Sequence, residues 1–200
     1  MNFLAHLHLA GDDSGMRVGC VLADFVRGRR PALEERFPVE VVEGVEHHRA
    51  VDRFMDHHAC VRGVRAMLHP SYGHRSRVIV DILFDYYLGI HWTEIEQTDF
   101  DEFVDSCYRA LCTEHAGLPE DYLRFVDILM TYDLLRLYGT RAGMEETFHR
   151  MNHRLSRPLP VACLMGDLDR LEVNMVACFR EFYQEAVSDL GRDVSMEQHS

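Results

Sequence analysis

Two segments of the sequence place polar side chains at positions where a buried helix face normally carries apolar ones. Each segment steps by four and three residues, which is the spacing of one helix face. The first stripe consists of Val41, Val45, His48, Asp52 and Met55. The second consists of Val78, Asp81, Asp85, Leu88 and Trp92. Both stripes are apolar at their ends and polar at their centres. Each therefore predicts a helix whose central side chains could bind a ligand or take part in a reaction.

The polar centres have the composition of a site for a divalent cation. Residues four apart lie one above the other on a helix, and Asp56 extends the row that contains His48 and Asp52. Two such helices facing each other would bring an imidazole and several carboxylates together. Crowded carboxylates in an apolar interior are costly unless they are protonated, paired or bound to metal. An oxygen-rich mixed set of ligands suits Mn²⁺ or Mg²⁺ better than Zn²⁺.

An ordinary structural explanation stays open beside the metal site. Asp52 and Asp85 could form ion pairs with Arg49, Arg53 or Arg75, and His48 could be a hydrogen-bonded core histidine. Two further candidates stand in apolar helical stretches, His6 within NFLAHLHLA and Asp24 within VGCVLADFV. Taken singly, each of these is more typical of packing or capping than of a ligand.

The elements that must position these residues are predicted to be helices. Glycine and proline divide the chain into helix-length segments, and alternating patterns typical of strands are nearly absent. We expect Pro119 and Gly139 to bound one helix and Thr98, with Asp101, to cap another. The expected helices lie near 2–10, 16–28, 39–59, 60–69, 74–91, 99–115, 119–138, 141–154 and 161–190, the last with a possible break. The sequence predicts an all-α, single-domain bundle over 1–200, with a loose tail of about ten residues.

Composition and charge exclude several functions. The net charge is −12, and the basic side chains are all Arg, so Schiff-base lysine chemistry and a phosphate-loop lysine are excluded. An acidic protein is a poor general nucleic-acid binder. No apolar run approaches the about 20 residues that span a bilayer, and no signal peptide is evident, so we expect a cytoplasmic protein without membrane contact. The six cysteines lack a C-x-x-C pair, which argues for reduced thiols and against a structural zinc site.

Four segments resemble the acyl carrier protein phosphodiesterase family. They are MNFLAHLHLA at the start, LADFVRG at 22–28, GVEHHRAVDRFMD at 44–56, and DILFDYYL followed by His91 and Trp92. The resemblance covers most of residues 1–92 and implies an all-helical fold distantly related to the HD-domain phosphohydrolases. It implies hydrolysis of holo-acyl carrier protein to the apo form and 4′-phosphopantetheine, with Mn²⁺ or Mg²⁺ as cofactor. The residues that match the family's polar positions are His6, Asp24, His48, Asp52, Asp56, Asp81 and Asp85.

The resemblance also implies roles for individual residues. The expected metal ligands are His6, Asp24, His48, Asp52 and Asp85. The expected catalytic residues are Asp24, Asp56 and Asp81, with Arg49 (or Arg53) binding a phosphoryl oxygen. The carrier is strongly acidic, and residues 1–80 hold 11 Arg against 10 Asp and Glu, unlike the acidic remainder of the chain. A docking surface for the carrier is therefore predicted from Arg27, Arg29, Arg30, Arg62 and Arg65. A solvated loop over VRGRRP is the equally weighted alternative.

Two other functions compete with this hypothesis. One is an HD-type nucleotide phosphohydrolase with a small-molecule substrate. The other is a non-catalytic helical binding protein whose polar cluster is a network of ion pairs, which would bind no metal and would lose little stability on chelation.

Overall fold

A computed structural model of the protein describes residues 3–113, 115, 117–153, 155 and 157–191, and this part of the chain is helical without any strand. The all-α prediction is confirmed. The predicted C-terminal tail falls almost wholly outside the described residues. The helices, in chain order, are α1 Phe3–Leu9, α2 Ser14–Leu22, α3 Arg30–Glu34, α4 Val39–His57, α5 Ala59–Tyr72, α6 Ser76–Ile90, α7 Trp92–Ile95, α8 Phe100–Leu111, α9 Glu120–Thr131, α10 Leu134–Tyr138, α11 Arg141–Asn152 and α12 Val161–Leu190.

The short helix α1 lies inside the bundle. Its residues Leu4, Ala5 and Leu7 are fully buried in a core to which helices from both ends of the chain contribute. A helix of seven residues is too short to be stable alone, so its conformation depends on this packing. Its first turn is also held by Asp85 of α6, whose two carboxylate oxygens accept hydrogen bonds from the backbone N–H groups of Leu4 and Ala5 at 2.9 and 3.1 Å.

Helices α2 and α4 cross in unusually close contact. A Cβ atom on Gly19 would lie 2.0 Å from the backbone oxygen of Val41, and one on Gly44 would lie 2.2 Å from that of Met16. Only glycine permits the two backbones to approach this closely. The crossing holds the end of α2, and thus Asp24, beside His48 on α4.

The expected helix over 119–138 is wrong in one respect, because the chain breaks it into α9 and α10. Asp133 adopts a left-handed conformation with φ 47°, which no helix continues through. The Tyr108 hydroxyl donates to the carboxylate of Asp133 at 2.9 Å and accepts from the N–H of Leu135 at 3.1 Å. These hydrogen bonds stabilise the break, which periodicity alone could not show.

Three smaller expectations also need correction. The helix expected over 16–28 ends at Leu22, and the separate helix α3 begins at Arg30, with proline in its first turn. Asp99, rather than Thr98, caps α8 by accepting from the N–H groups of Asp101 and Glu102. Helix α12 is continuous over its 30 residues.

Among the described residues, no helix is both long and apolar enough to cross a membrane.

Candidate active site

The polar residues of the two predicted stripes, with the exception of Asp85, meet at a pocket of about 340 Å³ between α4, α5 and α6, beside the end of α2. Its lining includes four acids, one histidine and two arginines. The acids are Asp24, Asp52, Asp56 and Asp81. Helix α4 supplies His48, Asp52 and Asp56 because these residues follow each other at intervals of four on one face.

Two histidines from different helices share the carboxylate of Asp52: His48, which lines this pocket, and His6, which is buried next to it. The Nε2 atom of His6 on α1 lies 3.2 Å from Oδ1 of Asp52, and Nε2 of His48 lies 3.2 Å from Oδ2. The two imidazole rings are stacked, with centroids 3.8 Å apart and planes inclined by 9°. One nitrogen from each ring and one carboxylate oxygen lie within 4.8 Å of each other. Such a group of donors could hold a metal ion.

The electrostatics of this group favour a neutral His6 imidazole and a charged Asp52 carboxylate. Burial, followed by the proximity of His48, lowers the pKa of His6 to about 3. Burial acts to raise the pKa of Asp52, but its interactions with His48 and His6 prevail and hold this pKa well below its usual range. Neutral imidazole nitrogens and an ionised carboxylate are the protonation states that bind metal.

The buried histidines also lack the partners that a purely structural role would supply. Both ring nitrogens of His6 and Nδ1 of His48 are buried without a hydrogen bond in the described part of the chain. Although Nε2 of His6 lies close to Asp52, its orientation falls short of a hydrogen bond. Because buried polar atoms are normally satisfied, these nitrogens fit a bound cation better than a closed ion-pair network.

Asp24 extends the group from the turn that follows α2. Its Oδ1 lies 3.7 Å from Nε2 of His48, and its side chain keeps half of its exposure to solvent. Partial burial in the pocket raises its pKa. The carboxylate stands at the mouth of the pocket, where it could complete a cation site or contact a substrate.

Asp85 lies apart from this group. Its carboxylate is fully buried, and both oxygens accept backbone N–H groups of α1. The structure therefore gives Asp85 a capping role and does not bring it to the pocket with Asp52. It acts on the site indirectly, since the helix that it caps carries His6.

Comparisons with known proteins identify the family of this chain. The family model described as acyl carrier protein phosphodiesterase matches residues 1–186. The chain belongs to the acyl carrier protein phosphodiesterase family. A relative from Salmonella agona named acyl carrier protein phosphodiesterase is 30% identical over 194 residues, covering 96% of this chain and 98% of the relative. One of the same name from Pectobacterium atrosepticum is 28% identical over 184 residues, covering 92% and 94%.

Membership of the acyl carrier protein phosphodiesterase family confirms the predicted resemblance and the enzyme class, a phosphoric diester hydrolase. The match extends well beyond residues 1–92, where the sequence motifs lie. No solved structure matches the chain, so the relation to HD-domain enzymes stays a prediction.

Two arginines of this phosphodiesterase, neither of which belongs to the α4 stripe, also line the pocket. Arg65 on α5 bonds Asp56 at 2.6 Å and Asp81 at 3.4 Å, and its side chain is only 11% exposed. Arg77 on α6 lies 3.6 Å from Asp56 and is 67% exposed. Arg65 was predicted to belong to the docking surface, and Arg77 was not among the predicted site residues. The spacing of Arg77 four residues before Asp81 was the available signal for it.

The predicted phosphoryl ligand Arg49 is placed elsewhere. Its guanidinium donates to the Gly28 carbonyl at 3.0 Å and to Glu46 at 2.7 Å, so it braces the loop before α3 against α4. The remaining arginines of the predicted docking surface are exposed: Arg27, Arg29, Arg30 and Arg62. Of these, Arg30 is partly engaged by Glu34.

Proposed function

We propose that this enzyme hydrolyses the phosphodiester that joins 4′-phosphopantetheine to a serine of holo-acyl carrier protein, releasing apo-carrier and 4′-phosphopantetheine. The single observation that carries the proposal is the convergence of His6, His48 and Asp52, the last two of which line a pocket that also contains two arginines. Imidazoles and carboxylates suit hydrolytic metal chemistry, and guanidinium groups suit a phosphodiester. Family membership supports the choice of substrate.

The proposed cofactor is Mn²⁺ or Mg²⁺, held by His6, His48 and Asp52, with Asp24 completing the set. Two imidazole nitrogens favour Mn²⁺ somewhat over Mg²⁺, which prefers oxygen ligands. When bound, such a cation lowers the pKa of water and offsets negative charge on the phosphoryl oxygens. Asp85 is left out of the proposed ligands because its oxygens already accept two backbone hydrogen bonds.

The two pocket arginines are proposed to bind the phosphodiester. A guanidinium presents paired N–H donors that match two phosphoryl oxygens. Asp56 contacts both Arg65 and Arg77 and so positions their side chains along one side of the pocket. Arg65 and Arg77 are therefore proposed for the role of phosphoryl binding that the sequence had suggested for Arg49.

Asp81 is proposed to move the proton to the leaving group. It lines the pocket beside Arg65, and burial raises its pKa even though Arg65 opposes the shift. A carboxyl group with a raised pKa holds its proton more firmly than a free aspartate, and it could donate this proton to the seryl oxygen as water displaces that oxygen from phosphorus. Asp24, whose pKa is also raised, lines the same pocket.

Docking of the acidic carrier is proposed at the exposed arginines that follow Asp24 in the chain. Arg27, Arg29 and Arg30 occupy the loop between α2 and the start of α3, and this loop follows Asp24, which lines the pocket. A positive rim beside the site would steer an acidic protein and place its prosthetic group at the pocket. Arg62 could extend the rim from α5.

Mass spectrometry of holo-acyl carrier protein incubated with the enzyme and Mn²⁺ tests this function. We expect loss of one phosphopantetheine group, which excess chelator and the substitution Asp52→Asn both prevent. Asp127→Asn, which changes an exposed acid on α9, is the matched control and should react normally. An unchanged carrier in the presence of folded, metal-loaded enzyme would overturn the proposal, and turnover of nucleotide diesters in that case would favour the nucleotide hypothesis.

A further inference from the structure

A second cluster of metal-binding side chains lies where α12 packs on the corner between α4 and α5. His58 is the single residue between α4 and α5, and Cys60 lies in the first turn of α5. Across from them, α12 contributes Cys178 and Glu181. The Sγ atom of Cys60 lies 3.2 Å from Nδ1 of His58 and 2.7 Å from Sγ of Cys178.

We propose that this cluster binds a structural Zn²⁺ ion through His58, Cys60, Cys178 and Glu181. Donor atoms of His58, Cys60 and Glu181 lie within 4.8 Å of each other, and Cys178 contacts Cys60 directly. Thiolate and imidazole ligands are those that zinc prefers, and four protein ligands form a closed, non-catalytic site. The pocket containing Asp52 has no cysteine in its lining, so the two sites differ in their chemistry.

The histidine of the cluster is already oriented as a zinc ligand. Its Nε2 atom lies 3.2 Å from a carboxylate oxygen of Glu185. If Nε2 carries the proton and donates to Glu185, Nδ1 keeps its lone pair facing Cys60. A carboxylate behind a ligating imidazole is the usual outer support of a zinc site.

Helix periodicity explains why α12 supplies three of the groups. Cys178, Glu181 and Glu185 follow at intervals of three and four, which puts all three on one face of the helix. Cys178 is buried and the two glutamates are more exposed, so the ion would lie at the edge of the core. Cysteines 118 residues apart in the chain give no spacing motif, which is why the sequence argued against a zinc site.

Zinc binding requires a small adjustment of the sulfur atoms. Two thiolates at about 2.3 Å from one tetrahedral ion lie about 3.8 Å apart, whereas these sulfurs are separated by 2.7 Å. Cys60 is only partly buried at the start of a helix, so rotation of its side chain could supply the difference. The bound ion would then link α12 to the junction of α4 and α5. These two helices carry Asp56 and Arg65, respectively. This inference does not depend on the proposed substrate.

Titration of the reduced, metal-free enzyme with Co²⁺ as a probe for Zn²⁺ tests the site. Thiolate ligation gives Co²⁺ an intense near-ultraviolet charge-transfer absorption, which ligands of the Asp52 pocket cannot produce. We expect this absorption in the wild-type enzyme and its displacement by Zn²⁺. It should disappear in Cys60→Ser and Cys178→Ser and persist in Asp52→Asn. The matched control is Cys163→Ser, which changes an exposed cysteine of the same helix α12 and should retain the absorption.

Circular dichroism shows whether each variant is folded, and thiol titration confirms that the cysteines are reduced. His58→Gln supplies an independent variant that leaves both sulfurs in place and should weaken Co²⁺ binding at least about tenfold. Absence of the absorption in folded, reduced wild-type enzyme would overturn the zinc site. So would an absorption that survives both cysteine substitutions, or a Cys60–Cys178 disulfide in enzyme purified without oxygen and without bound metal.

Discussion

The imidazole of His6 lies flat against that of His48, with ring centroids 3.8 Å apart, and both rings direct Nε2 at the carboxylate of Asp52. Two parallel imidazoles at this distance cannot both carry a proton without strong repulsion. The stack therefore keeps at least one ring neutral. It also joins α1 to α4 at the point where a cation is proposed to bind.

Replacement of the shared carboxylate is the most direct test of that arrangement. We expect Asp52→Asn to lower kcat/KM for holo-carrier by about 10²-fold or more, because the amide cannot supply the negative charge that a divalent cation requires. Steady-state kinetics at saturating Mn²⁺ measures the effect, and isothermal titration with Mn²⁺ should show weakened binding. Activity within about threefold of wild type, with normal Mn²⁺ affinity, would contradict the assignment.

The exposed pocket arginine Arg77 should contribute to substrate binding rather than to folding. Arg77→Ala removes a side chain that is 67% exposed, so we expect normal stability and a KM for holo-carrier raised about tenfold, which corresponds to about 1.4 kcal/mol. Arg124→Ala, an exposed arginine on α9, is the control and should leave the kinetics unchanged. An unaltered KM in Arg77→Ala would remove this residue from the proposed phosphodiester site.

The glycine crossing of α2 and α4 can be tested by adding one methyl group. Gly44→Ala should destabilise the enzyme by about 2 kcal/mol or more, because the new Cβ would collide with the backbone oxygen of Met16. It should also lower activity, since the crossing positions Asp24 against His48. Gly63→Ala on α5 is the matched control, because a Cβ there meets nothing within 4 Å.

At Gly63 the same substitution should stabilise the enzyme by up to about 1 kcal/mol, because alanine favours the helix. Urea unfolding of the two variants measures both effects. Equal stability of Gly44→Ala and wild type would show that α2 and α4 can move apart without loss of folding free energy.

Much of the site was predictable because helix periodicity is local. The interruption of an apolar stripe by His48 and Asp52 predicted a polar group on one face of α4, and the structure places both at the pocket wall. The contribution of α1 could not be predicted in this way. His6 reaches Asp52 only because the buried helix α1 is held by Asp85, and no spacing within a helix encodes that contact.

Two residues that were predicted to contribute to the site lie elsewhere, and the physical reason is the same for both. Asp85 lies at the spacing of the second stripe and Arg49 follows His48 directly in the chain, but each finds backbone partners on another segment, N–H groups of α1 for Asp85 and the Gly28 carbonyl for Arg49. A sequence pattern shows which face a side chain occupies. It does not show which backbone group of a distant segment will lie next to that side chain. For the same reason, the sequence does not show that Cys60 and Cys178 are in contact.

The proposed docking surface predicts a strong dependence on ionic strength. We expect the double substitution Arg27→Glu and Arg29→Glu to raise KM for the acidic carrier about tenfold at low salt and to have little effect on a small phosphodiester substrate. Increasing salt should raise the KM of the wild-type enzyme toward that of the variant. A KM for the carrier that is independent of both salt and these charges would contradict docking through this loop.

The buried carboxyl of Asp85 predicts a dependence of stability on pH. Burial raises its pKa to about 7, despite the two hydrogen bonds from α1, which act to lower it. In the unfolded chain the pKa of an aspartate is about 3.9, so between about pH 4 and 7 the folded state binds the proton that the unfolded state has lost. The contribution of Asp85 to stability is therefore greatest below pH 4 and decreases as pH rises to 7.

Comparison of the wild type with Asp85→Asn isolates this contribution. The asparagine does not titrate, and His6, whose lowered pKa destabilises the fold as pH falls below about 6.5, is common to both proteins. We expect Asp85→Asn to be the less stable protein at pH 5, because its amide oxygen replaces only one of two acceptors. The difference should shrink by up to about 3 kcal/mol by pH 8. Urea unfolding with chelator at both pH values measures it, and a difference that stays constant would show that Asp85 is ionised throughout.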